Sequence, residues 1–362
     1  MADAAAFRAQ FPVFERLSYL NSGTEGPVSQ RAGDAARERI ELEVSAGRCG
    51  REYFESVMEL AASARAGYAS VLGCAPEDVA LTGSTTDGVN TVLSGLDLRA
   101  GDEIVTSDEE HPGLLAPLGR ARVRAGITVR VVPFNELANA VSPSTRLVAC
   151  SHVSWVGGKV VDAGALRATG VPFLLDGAQG IGAVPTAVGE LGCDFYAGSG
   201  QKWLSGPEGS GALYVKPERL DDLLPPWPGY STVADSSEAL SFGLAEGVKR
   251  LDHGFPAGLR SAWVVASMEV LAEPGCDWVH DRAATLAAGL AERLAGRGIE
   301  VADRGRSTLV SWSTADPEED VKRLSSEGIV VRSIPSHALV RASVGAWNSE
   351  EELERLVELA AV

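Results

Sequence analysis

Val171–Val215 reads VPFLLDGAQGIGAVPTAVGELGCDFYAGSGQKWLSGPEGSGALYV. Its apolar run Val171–Leu175 stops at Asp176 and meets Gly177. A run of that length before a glycine suits a strand buried on both faces of a parallel sheet. A carboxylate at the strand's carboxyl end then lies in the crevice where open α/β sheets bind ligands. A second run, Asp194–Ala197, leads into Gly198-Ser199-Gly200-Gln201-Lys202-Trp203, with further glycines at Gly206, Gly209 and Gly211. Neighbouring strand ends thus deliver one aspartate and one lysine into a glycine-lined space.

That pairing has a specific chemical use. A lysine amine forms a Schiff base with the aldehyde of pyridoxal 5'-phosphate (PLP), and an aspartate facing the pyridine nitrogen keeps the ring protonated as an electron sink. Lys202 suits the first role and Asp176 the second. Gln179, one short turn further on, is placed for the ring's phenolic oxygen. Taken alone, the same two residues also describe a turn cap and a solvent-facing lysine. The order of motifs, DGAQ and then SGQKWLSGPEGSGALYV, resembles the active-site signature of the class V aminotransferase family of fold-type I PLP-dependent enzymes. The branch it resembles contains cysteine desulfurases, selenocysteine lyases and isopenicillin-N-epimerase-like proteins. The resemblance implies an α/β fold with a large PLP-binding domain, residues 1–257, built on a mostly parallel seven-stranded sheet. A smaller α+β domain, 258–362, would follow. It further implies an amino-acid substrate and a homodimer with its sites at the subunit interface.

Composition sets outer bounds. A chain of 362 residues with 45% hydrophobic and 22% charged residues can bury a substantial core. Its net charge of −17 argues against nucleic acid as a partner, since binding there neutralises phosphates with Lys and Arg. Five scattered cysteines, Cys49, Cys74, Cys150, Cys193 and Cys276, form no CxxC and no metal-ligand pattern. Reduced thiols and an N-terminus without a basic or apolar leader point to the cytoplasm, and no stretch approaches the ~20 apolar residues of a membrane span.

Along the chain, helical spacing covers Val28–Ala46 and Glu52–Leu72. Val79–Thr82 reads as a strand, and Gly83-Ser84-Thr85-Thr86 opens the next helix. Hydroxyls and free N–H groups at such a turn hold an anion, although Ser and Thr are also ordinary helix caps. The stretch is similar to the family's phosphate loop, so Ser84, Thr85 and Thr86 are candidate phosphate ligands, joined by Ser199 and Gln201. The family more often has His where Gln201 stands. An amide donates a hydrogen bond there but supplies no charge.

A strand Asp102–Thr106 precedes His111, which resembles the family's ring-stacking histidine and is also a candidate proton donor. Strands Ile127–Val132 and Arg146–Cys150 follow. Trp155 stands where desulfurases place an Asn on the ring oxygen, and Phe255 where relatives carry a Thr that touches the partner's phosphate. From Gly258 onward, helices Ser261–Leu271 and Asp277–Arg297 alternate with strands Leu309–Trp312, Ile329–Arg332 and Leu339–Ala342, before a final helix Ser349–Leu359. Arg341 resembles the family arginine that binds the substrate carboxylate, which bidentate geometry favours. Arg332 and Asn21 are further candidate substrate contacts, with a surface salt bridge and a plain turn as their ordinary alternatives.

The trunk of the reaction is thus Schiff-base chemistry at Cα, and the branches are β-elimination, transamination and epimerisation. Persulfide-forming desulfurases need a cysteine between the matches to Arg332 and Arg341. Here that loop, Ser333–Val340, reads SIPSHALV. A ring-stacked histidine suits protonation of a leaving group. The expectation is therefore a Cβ–S (or Cβ–X) lyase, then an aminotransferase, then an epimerase. A catalytically silent PLP-binding module is the non-enzymatic alternative.

Overall fold

The computed structural model describes residues 3–360. Seven strands form the central sheet: β1 (Val79–Thr82), β2 (Glu103–Ser107), β3 (Thr128–Val132), β4 (Thr145–Ser151), β5 (Phe173–Asp176), β6 (Phe195–Ser199) and β7 (Gly211–Val215). They lie in the order β1-β7-β6-β5-β4-β2-β3. Neighbours are parallel except where β7 runs antiparallel to both β1 and β6. This is the mostly parallel seven-stranded sheet that the sequence implies.

Every residue of β5, β6 and β7 is buried. Successive side chains point to opposite faces, and each face has its own apolar layer. Leu175, Tyr196 and Ala212 enter one core cluster, while Leu174, Phe195, Ala197 and Leu213 enter another. Two-sided burial explains why the run before Asp176 is continuous and does not alternate. Because β7 is antiparallel, its first residue, Gly211, lies in register with both Thr82 and Ser199 at the outgoing ends of β1 and β6. The absence of a side chain matters there. A Cβ on Gly211 would sit 2.6 Å from the Gly198 carbonyl oxygen and 2.9 Å from Thr82 Oγ1.

The second sheet is antiparallel. Strands β8 (Leu309–Ser313), β9 (Arg332–Ser333) and β10 (Leu339–Ser343) lie in the order β9-β10-β8. Leu286 and Leu290 of helix Cys276–Gly296 and Leu353 and Leu356 of helix Glu350–Ala360 pack with Val310, Trp312 and Val340 of this sheet.

Three features depart from the sequence expectation. Helix Gly258–Ala272, expected to open the small domain, packs on helices Gln30–Ala46 and Gly50–Leu72 of the large one. Its Met268 presses on Gly67, where a Cβ would lie 2.3 Å from the thioether sulfur. The single strand expected over Ile329–Arg332 is broken at Val331. Ile329–Val330 pairs in parallel with Ser18–Tyr19, and Arg332–Ser333 pairs with β10. Residues 7–20, expected with the large domain, therefore hold the small one. Phe7 and Phe11 lie 6.3 Å and 5.1 Å from Trp347 by ring centroid, Leu20 enters the small-sheet cluster, and Arg8 pairs with Glu352 at 2.8 Å. Propensity over two-residue strands is too weak to reveal such pairing. Among the described residues, no helix is long and apolar enough to cross a membrane.

Phe11 is 1% exposed at this junction. Phe11→Ala is expected to cost about 3–5 kcal/mol, read as a lower urea midpoint.

Candidate active site

Asp176 closes β5 in a fully buried setting, and its Oδ1 accepts the Ala178 N–H at 2.9 Å. Burial raises its carboxyl above the ordinary range, opposed by the Ala178 N–H and by the positive charge of Lys202. Lys202 lies three residues beyond β6, in a compact turn closed by Ser205 N–H to Lys202 O at 3.1 Å and Gly206 N–H to Gly200 O at 2.9 Å. No carboxylate lies within 4.0 Å of its Nζ among the described residues. Burial brings the ammonium down to about 8, with Arg341 and Arg332 acting the same way and Asp176 and Glu25 opposing. The two residues expected to share the site therefore feel each other's charge at adjacent strand ends.

The next group assembles around Gly211. Ser84 caps helix Thr85–Gly95, and its Oγ accepts the Asp87 N–H at 3.1 Å. Its hydroxyl is thus committed to the helix, while its backbone borders Gly211. The buried Thr85 Oγ1, Ser199 Oγ and Gln201 Oε1 have no hydrogen-bond partner. Thr86 Oγ1 faces Gly113 instead, 2.6 Å from where a Cβ there would be. Thr85 and Ser199 thus present unpaired hydroxyls beside a helix N-terminus, an arrangement that suits an anion, whereas the free atom of Gln201 is an amide oxygen that can only accept.

His111 stands at the start of helix Pro112–Ala125, and its Nδ1 accepts the Gly113 N–H at 3.0 Å. The neutral ring then carries its proton on Nε2. The cleft walls, followed by the charges of Lys202, Arg332 and Arg341, hold the imidazolium down to about 4. Trp155 meets His111 edge-on, with centroids 4.9 Å apart and planes at 87°. Gln179 is more constrained than expected. Its Nε2 donates to Gly23 O at 2.7 Å, and its Oε1 accepts from Trp203 Nε1 at 3.0 Å. One amide N–H is left over, so the residue also fixes the segment passing above it.

Arg341 and Arg332 are register partners on β10 and β9. Arg341 is fully buried, with Nη1 donating to Trp155 O at 2.7 Å while Nε and Nη2 have no partner. Burial, then Arg332, pushes its guanidinium down to about 9. Arg332 Nη1 donates to Thr24 Oγ1 at 3.1 Å, and that hydroxyl donates to Asn21 Oδ1 at 2.8 Å. Asn21 thus braces a turn, while the segment it begins crosses the site. A Cβ on Gly23 would lie 2.7 Å from Ser343 Oγ, 2.8 Å from Arg341 Nη2 and 2.9 Å from Gln179 Oε1.

The family model described as Aminotransferase class-V matches residues 19–356. The chain belongs to this family. Within class V, it is 31% identical to isopenicillin N epimerase of Amycolatopsis lactamdurans, over 97% of this chain and 96% of that protein. It is 30% identical to a probable cysteine desulfurase of Pseudomonas aeruginosa, over 98% and 97%. A solved complex of the cystine C–S lyase C-DES with cysteine persulfide superposes with a TM-score of 0.92, at 28% identity, over 97% of this chain and 99% of that one. A C-DES mutant with glycine covalently linked to its PLP cofactor superposes at 0.93, with 27% identity and coverage of 100% and 99%.

The class-V site also contains residues that the sequence did not single out. Glu110 is 5% exposed and accepts hydrogen bonds from Ser107 Oγ at 2.5 Å and from Ser151 N and Oγ at 2.9 and 2.5 Å. Ser22 Oγ and Ser343 Oγ, both buried, have no partner and flank the Gly23 crossing. Beneath the sheet end, His152 Nδ1 lies 3.0 Å from Tyr196 OH. The only sequence signal for Glu110 was its adjacency to His111; its serine partners converge only through the sheet. The donor set fits a phosphorylated pyridine aldehyde together with an amino acid. Thr85 and Ser199 offer unpaired hydroxyls to the phosphate, Asp176 an acceptor to a ring nitrogen, Lys202 an amine, and Arg341 with Ser343 unpaired atoms to a carboxylate.

Breaking a buried ion pair usually costs ~3–5 kcal/mol. Arg341 has no carboxylate partner to lose among the described residues, so Arg341→Met is expected to change the stability of the cofactor-free protein by no more than about 1 kcal/mol, measured by urea denaturation.

Proposed function

We propose that this class-V protein is a PLP-dependent enzyme that removes a sulfur, or another leaving group, from Cβ of an amino acid. The observation that carries this reading is His111, a neutral ring whose Nε2 bears the proton because Gly113 occupies Nδ1. Such a group can donate a hydrogen bond to a departing thiolate, while the proton that neutralises the thiolate would come from Lys202, which has taken it from Cα.

Bound in this cleft, PLP would supply an aldehyde that bonds amines and a cationic ring that takes up an electron pair. The chain supplies the rest. Lys202 Nζ, with its affinity for protons reduced by burial, is the amine for the aldehyde and the base for the Cα proton. Asp176 holds a negative charge against the ring nitrogen. Arg341 and Ser343 orient the substrate carboxylate, and Thr85 and Ser199 hold the phosphate. The curated desulfurase relatives make persulfide formation the reading to be tested against. The hairpin joining β9 to β10 favours elimination, because residues 333–340 contain no thiol. Of the five cysteines, Cys150 is buried with its thiol pushed well above the ordinary range by burial, then by Glu110 and Asp176. A second reading, inversion at Cα, rests on the similarity to isopenicillin N epimerase.

A homodimer belongs to the same proposal. Trp227, Tyr230 and Phe255 are 56%, 80% and 60% exposed, and a second copy would cover them. All five cysteines are unpaired, which suits the cytoplasm.

Cystine, cysteine and S-substituted cysteines, tested with purified protein and PLP, are expected to yield pyruvate. A 2-oxo acid retaining the substrate side chain would replace this reading with transamination, and a D-amino acid would replace it with epimerisation. Lys202→Ala should bind PLP without a borohydride-fixable bond; fixation in that variant would remove Lys202 from its role. Asp176→Asn should retain cofactor and lose about a hundredfold or more in turnover, the scale of one misplaced proton-transfer partner; full activity would contradict the ring-nitrogen role.

A further inference from the structure

The buried carboxyl of Glu110 has no part in the chemistry above, yet it joins two strand ends beside those that the chemistry uses. It ties the exit of β2, through Ser107, to the exit of β4, through both the N–H and the hydroxyl of Ser151. Ser151 is the register partner of Asp176 on β5. The next residue is His111. One carboxyl therefore joins the loop carrying the stacking histidine to the strand alongside Asp176.

We propose that Glu110 is a positioning residue that holds His111 and Asp176 in register, and that it carries a proton in the cofactor-free protein and gives it up when a cationic ring is bound beside Asp176. The inference rests on the PLP assignment. Two carboxylates cannot both ionise cheaply at one buried place. Asp176 on β5 faces Glu110 and opposes its ionisation, while the thiol of Cys150 on β4, itself pushed well above its ordinary range by burial and then by Glu110, stays neutral. Burial is the leading influence, the three serine hydrogen bonds oppose it, and the net effect raises the carboxyl to about 7. Since Asp176 answers to Lys202, a positive ring at Asp176 would remove the repulsion and release the Glu110 proton.

The sign follows from linkage. A carboxyl raised in the folded state makes the protein less stable as pH rises from its ordinary value, near 4.5, through 7. Cofactor-free wild type should therefore lose thermal midpoint between pH 5 and 8, and Glu110→Gln, which preserves the hydrogen-bonded shape, should show a flatter profile. PLP affinity relative to that of Glu110→Gln should rise by about tenfold over the same interval, the equivalent of one pKa unit of coupling. Parallel melting profiles for the two proteins would overturn the proposal, as would a constant affinity ratio. If Glu110→Gln does not fold, Ser151→Ala decides. Removing one donor to the carboxylate should move the wild-type inflection to higher pH, and an unmoved inflection sinks the idea. Melting profiles of cofactor-free protein do not depend on PLP, so failure to bind PLP at all would count against the proposed function and not against the Glu110 titration.

Discussion

The site depends on charges held in a cleft without matching partners. Among the described residues, Arg341 is fully buried with two of its three nitrogens unpaired, and Lys202 has no carboxylate in contact. In water such groups cost nothing; inside a folded chain they favour their neutral forms. The rest of the molecule must be rigid enough to tolerate that arrangement. The sheet supplies the rigidity, because β5, β6 and β7 are covered on both faces and cannot yield to relax one side chain. A class-V protein can therefore keep charges poised for an anionic ligand in place of one another.

The same geometry explains why two distant stretches of chain meet at one end of the sheet. With β7 reversed, Gly211 sits between Thr82 and Ser199, and the loops leaving β1 and β6 open on the same side. A side chain at Gly211 would separate them. Pocket walls come from a different source. Trp155 touches His111 with its ring and Arg341 with its carbonyl, so one residue of the loop after β4 sets the spacing between the histidine and the arginine.

The strand bearing Asp176 was legible because two-sided burial writes a continuous apolar run, and Lys202 because glycines and small residues surround it in the sequence. The hydroxyls of Thr85 and Ser199 were legible only in company with that lysine. Ser84 and Gln179 were expected as cofactor contacts, but the Asp87 N–H claims Ser84 Oγ, and Gly23 O and Trp203 Nε1 claim two of the bonds of Gln179. Glu110 was invisible because its partners, Ser107 and Ser151, are brought together by the sheet and not by spacing. The pairing of Ser18–Tyr19 with Ile329–Val330 left no trace in periodicity, since two residues have no period.

That pairing has a consequence for how the protein is made. Thr24 and Arg332 are 308 positions apart, yet their hydrogen bond closes one wall of the cleft. During synthesis, the segment around Gly23 must wait, its serine and asparagine solvated, until β9 and β10 have left the ribosome. The large sheet can form long before then, so a nascent chain can own its lysine and aspartate while lacking the lid over them. Assembly of a competent centre is therefore a late, long-range event, and a ribosome stalled before residue 332 would carry a folded but unfinished enzyme.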